Sequence, residues 1–258
     1  MPRKKGIKIK NKKDRRRQQK IFTNKRRHRS ILFPCFIVVS VMLLISIYVY
    51  FENTQVQLNA VPVSIPALPS QLEGFTILHM SDLNGKYFGQ EQTAIKSALS
   101  GKKFNLCVYT GDFAAPGGDT DDFIALITAM GEYGKNFYYI TGESDPPLTS
   151  LVSVSEYDYN DTYARIKNAG GIYLEVPVRI AEYGEGALWL MPFSALTTDP
   201  VASSRALDTV MADYARQNTP EAMEALADCR FKQQYYVRLE EALSQMQASV
   251  LLRSHIRL

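Results

Sequence analysis

Phe75-Thr76-Ile77-Leu78-His79-Met80-Ser81-Asp82-Leu83-Asn84-Gly85 is the stretch that decides the fold. Thr76 to Met80 are mostly apolar or β-favouring, and Ser81, Asp82, Asn84 and Gly85 are turn formers. It reads as a buried strand that stops at a carboxylate. The pattern recurs twice: Leu106–Thr110 runs into Gly111-Asp112, and Phe137–Thr141 runs into Gly142-Glu143-Ser144-Asp145. The acids are evenly spaced, 112 − 82 = 30 and 143 − 112 = 31. Each interval holds a crossover helix, as parallel strands require. Asp82, Asp112 and Glu143 are therefore expected at one edge of a single sheet, where α/β proteins place binding chemistry. Three carboxylates meeting there repel one another unless a cation or protons intervene.

Charge divides the chain. Residues 1–30 carry 15 Lys/Arg and one acid, Asp14, giving +14; the remainder has 30 − 15 = 15 bases and 26 − 1 = 25 acids, giving −10. Ile31 to Phe51 follow without a charge. Twenty-one residues at ~1.5 Å each span about 31 Å as a helix, a hydrocarbon thickness. Pro34 falls in the first turn, and Tyr48, Tyr50 and Phe51 cluster at the far end like an interfacial belt. A signal anchor is expected, with the N-terminus cytoplasmic by the positive-inside rule and the domain extracytoplasmic. A cleaved signal peptide fits less well, because the apolar run is too long and no small-x-small site follows promptly. The basic tail is expected to set topology and lie on the inner leaflet rather than bind nucleic acid, since Phe22 alone interleaves its charges. Cys35, Cys107 and Cys229 form neither a disulfide framework nor a zinc spacing and read as small apolar filler.

The expected organisation is a basic tail (1–30), a transmembrane helix (31–51), a Pro-containing linker (52–70) and one domain (71–258). Val61 to Pro66 is a candidate edge strand. Helices are expected over 90–100, 121–133, 163–169, 208–216 and 220–247, with 148–163 irregular. Asn160-Asp161-Thr162 is a glycosylation sequon by pattern only. Ile172–Glu175, Val178–Glu182 and Ala187–Pro192 are expected to form a second, antiparallel sheet, and Ser249–Arg253 a final strand ending at Ser254-His255. His79 reads as a satisfied core histidine.

The order and spacing of these motifs resemble the calcineurin-like metallophosphoesterases, of a membrane-bound bacterial type. The resemblance runs from Leu68 onward through Asp82-Leu83-Asn84, Gly111-Asp112 and Gly142-Glu143-Ser144-Asp145. It implies an α/β fold, a four-layer αββα sandwich, cut short here of the family's C-terminal Gly-His-x-His. It also implies a divalent metal cofactor, Mn2+, Mg2+ or similar, that clamps a phosphate ester. Carried over residue by residue, the implied metal ligands are Asp82, Asn84, Asp112, Glu143 and His255. Asn84 stands where the family has His, Glu143 where it has Asn, and Ser144 where it has the His that assists the leaving group. A serine hydroxyl titrates far too high to serve as that acid. The resulting expectation is a membrane-anchored metallophosphoesterase-like protein whose phosphoester hydrolysis is weak or lost. Its alternatives are an active phosphoesterase with an altered metal site, and a non-catalytic module binding phosphorylated envelope components or a protein partner. The implied partners are the membrane and a phosphate ester.

Overall fold

A computed structural model describes residues 33–52, 55–66, 68–153, 155–183, 186–217 and 219–255, with backbone alone at 181–187 and 249–255. The basic tail lies outside these residues. The chain forms two compact units, residues 1–56 and 57–258. In the first, helix α1 (Phe33–Glu52) is 20 residues long and apolar enough to cross a membrane.

The second unit is built on a parallel sheet. Strands β1 (Ile77–Met80), β2 (Leu106–Thr110), β3 (Phe137–Ile140) and β6 (Gly171–Tyr173) lie side by side in that order. Helices α2 (Thr93–Leu99), α3 (Asp121–Gly131) and α4 (Asp161–Asn168) fill the crossovers. Strand order never reverses, and crossovers of one hand then place the helices on one face. Phe123, Ile127 and Ile166 accordingly pack under that face. The Phe123 ring lies 4.8 Å from Tyr109 and 5.6 Å from Tyr139, and a Cβ added to Gly171 would meet Ile166 and Ile127. Near-continuous apolar strands are what a sheet covered on both faces demands.

The opposite face is covered by a hairpin, β7 (Val178–Tyr183) with β8 (Gly186–Leu190). Val178, Ile180 and Leu190 pack on Leu106, Tyr138 and Leu174. The cover thins toward β1, where Ile77, which shares that face with Leu106, is 49% exposed. A second hairpin, β4 (Thr149–Ser153) with β5 (Glu156–Tyr159), is inserted between β3 and α4. Asn160 caps α4: its side-chain oxygen accepts from the Tyr163 N–H at 3.2 Å and its amide donates to the Pro147 carbonyl at 2.7 Å. After the short α5 (Phe193–Thr197), α6 (Pro200–Gln217) packs against α7 (Pro220–His255), which buries Ala227, Cys229 and Leu239.

Four expectations are corrected. Residues 149–159 are a hairpin, not irregular. Gly171–Tyr173 is a parallel strand of the main sheet rather than part of an antiparallel one, because α4 supplies a crossover before it. Ser249–Arg253 is helix, the continuation of α7, and His255 ends a helix rather than a strand. Val61 to Pro66 form no strand, and Val61, Val63 and Ile65 are exposed. Cys107 and Cys229 are both buried and free. His79 is satisfied, with Nε2 2.7 Å from the Thr110 hydroxyl, but it is exposed rather than in the core.

Candidate functional site

The carboxyl ends of β1, β2 and β3 carry three turns that are tied to one another through the backbone. Asp82 and Asn84 donate their N–H groups to the carbonyls of Gly111 and Asp112, at 3.1 and 2.9 Å. Asp82, Asn84 and Asp112 all adopt left-handed backbone, with φ of 58°, 49° and 58°. Asp and Asn accept that conformation better than other side-chain-bearing residues do, which explains their use at these turns. From beneath, the Leu83 N–H donates to the buried Tyr109 hydroxyl at 2.7 Å. Burial pushes that phenol's pKa up, so it stays protonated.

The second and third turns touch. Gly111 has φ +98°, and a Cβ there would lie 2.6 Å from the Gly142 backbone; a Cβ on Gly142 would lie 2.4 Å from the Asp112 nitrogen. Only glycine at both positions allows this approach. Asp145 locks it. Its Oδ2 accepts from the N–H groups of Asp112 and Gly142 at 2.8 and 2.7 Å, and its Oδ1 from Phe113 and Ala114 at 2.7 and 2.9 Å. A carboxylate accepting four backbone donors is a strong charge-assisted arrangement. The Ser144 N–H in turn donates to Asp112 Oδ1 at 3.0 Å.

The structure thus brings Asp82, Asn84, Asp112 and the Glu143-Ser144 turn to one edge of the sheet, at the ends of three adjacent strands. Glu143 is solvent-exposed there. The Asn84 amide donates to the Asp82 carbonyl at 3.0 Å. Among the described residues, no three His, Cys, Asp or Glu side chains converge closely enough to hold a metal ion. His255 lies at the end of α7, and its side chain is outside what is described.

Two features were not anticipated from sequence. One is the clamp made by Asp145, which in sequence was only the last acid of its motif. The other is a cavity of about 570 Å3 beside the third turn, running from Thr141, Gly142 and Asp145 to α7. Nothing in the linear pattern pointed to it, because its walls come from β5, β6, α5 and α7, which are distant in sequence. No family model, curated protein or solved structure matches the chain.

Proposed function

We propose that this is a membrane-anchored, metallophosphoesterase-like binding module that keeps the strand-end scaffold of those enzymes and has lost their hydrolysis. The observation that carries the reading is Asp145. The motif's final carboxylate binds four backbone N–H groups and holds the second and third turns together, so the scaffold survives. The chemistry does not survive alongside it. Asn84 offers a neutral amide in place of an imidazole, and Ser144 offers no usable acid. Without imidazole the donor set at the three turns does not suit a two-metal centre.

In this reading the domain is a reduced four-layer αββα sandwich. Its second sheet is reduced to the β7–β8 hairpin. Helix α1 anchors the domain, the 15 Lys/Arg of residues 1–30 keep the N-terminus cytoplasmic, and the domain lies outside. The test is turnover of bis(p-nitrophenyl) phosphate by the full chain in detergent, with Mn2+ or Mg2+, together with metal analysis. The expected rate equals that of Asp112→Asn. Metal-dependent turnover that Asp112→Asn abolishes would establish the active-hydrolase alternative instead.

A further inference from the structure

We infer that the cavity beside the third turn is a binding site for an organic ammonium cation, held by an aromatic cage that α7 completes. Its volume, about 570 Å3, is that of an ordinary small-molecule pocket. Six aromatic side chains line it: Tyr157, Tyr159, Tyr173, Phe193, Phe231 and Tyr235. They form walls rather than a flat stack. The Phe231 ring, on α7, stands 5.5 Å from Tyr159 at 79° and 5.6 Å from Tyr157 at 59°. Tyr159 is braced from behind by Tyr163, stacked at 4.0 Å. Edge-to-face contact sets these rings at steep angles, and a ring face turned to the cavity attracts a cation through its negative quadrupole.

The charges agree in sign. Asp145, Glu175 and Asp228 line the cavity against one ammonium, Lys232. Arg238 grips Glu175 at 2.7 Å from outside the wall, so even with that pair counted the three carboxylates exceed the cations by one charge. Lys232 is held 2.5 Å from Asp228, which occupies its charge. Such a lining disfavours an anion and gives a neutral ring no electrostatic advantage. The site does not depend on the metallophosphoesterase reading.

The test uses the full chain in dodecyl maltoside, titrated calorimetrically with choline and separately with its neutral isostere, 3,3-dimethylbutan-1-ol. Choline should bind saturably, and the isostere at least about tenfold more weakly, the scale of one desolvated cation–π contact. Phe231→Leu and Tyr159→Leu should each weaken choline about tenfold, and Tyr159→Phe, which keeps the ring, should not. The isostere comparison needs no variant, so it stands even if a substitution disturbs folding. No saturable choline binding, equal affinity for the isostere, or undiminished binding by folded Phe231→Leu would overturn the inference. Repeating the titration in digalactosyldiacylglycerol and phosphatidylcholine nanodiscs, both without net charge and only the second with an ammonium headgroup, identifies the source of the ammonium group. Equal affinity in both indicates a soluble amine, and weaker binding in phosphatidylcholine indicates a lipid headgroup already in the cage.

Discussion

At the scale of single residues, the strand-end region depends on one carboxylate and two missing side chains. Asp145 satisfies four backbone donors at once, and removing it leaves part-buried N–H groups without partners. Asp145→Ala should therefore destabilise the domain by about 3 kcal/mol, with Asp145→Asn milder. For a domain of this size, that is a fall in melting temperature of about 6–12 °C by circular dichroism. Gly142→Ala should cost about 1–3 kcal/mol, because the added Cβ meets Asp112 backbone that cannot retreat. A melting temperature within a degree of wild type for either variant would contradict the clamp. The turns were legible in sequence because Gly, Asp and Asn after an apolar run have few other uses. The division of labour among the acids was not. Asp82, Asp112, Glu143 and Asp145 look alike in sequence, and only their neighbours in space separate a clamp from exposed carboxylates.

At the scale of elements, local preference and tertiary demand part company in the second half of the chain. Ser249–Arg253 looks like a strand in isolation. Upstream, however, Val237 to Ala248 contain neither Gly nor Pro, and extending an existing helix avoids the cost of nucleating one, so α7 continues to His255. The β4–β5 hairpin was missed because its turn lacks the Asn-Gly or Gly pairs that announce a two-residue loop. What fixes it is contact: Tyr157 and Tyr159 on β5 meet Phe231 on α7. Docking of α7 rests on its buried stripe, and Leu239 is 0% exposed. Leu239→Ala should cost about 3 kcal/mol in urea unfolding, whereas Glu240→Ala on the exposed face should change stability by less than about 0.5 kcal/mol.

At the scale of the whole molecule, two bulk properties follow. Burial pushes the Cys107 thiol from 9.0 up to about 12 and moves the Tyr109 and Tyr139 hydroxyls upward as well. All three are held neutral in the fold. For Cys107 the contribution is complete below pH 9, the unfolded thiol's value, and is lost as pH climbs from 9 toward 12. The urea midpoint should thus fall between pH 8 and pH 10.5, and less steeply in Cys107→Ala; a flat profile would contradict the burial. The second property is membrane association. The full chain should stay in the membrane pellet after alkaline carbonate washing, and a chain lacking residues 1–52 should not, because α1 is the one described helix able to span a bilayer.

What the sequence determined by itself was whatever short-range chemistry dictates. That covers the 21-residue uncharged span, the charge asymmetry around it, and three apolar strands each ending in Gly or Asp about thirty residues apart. Such features follow from desolvation, helix rise and turn sterics, which act within a few residues. The tertiary structure alone decided which acid clamps which turn, that residues 171–173 join the parallel sheet, and that tyrosines from β5 and β6 meet the much later helix α7 around a cavity. Those outcomes depend on packing between distant segments, where burial and hydrogen-bond satisfaction are settled collectively rather than residue by residue.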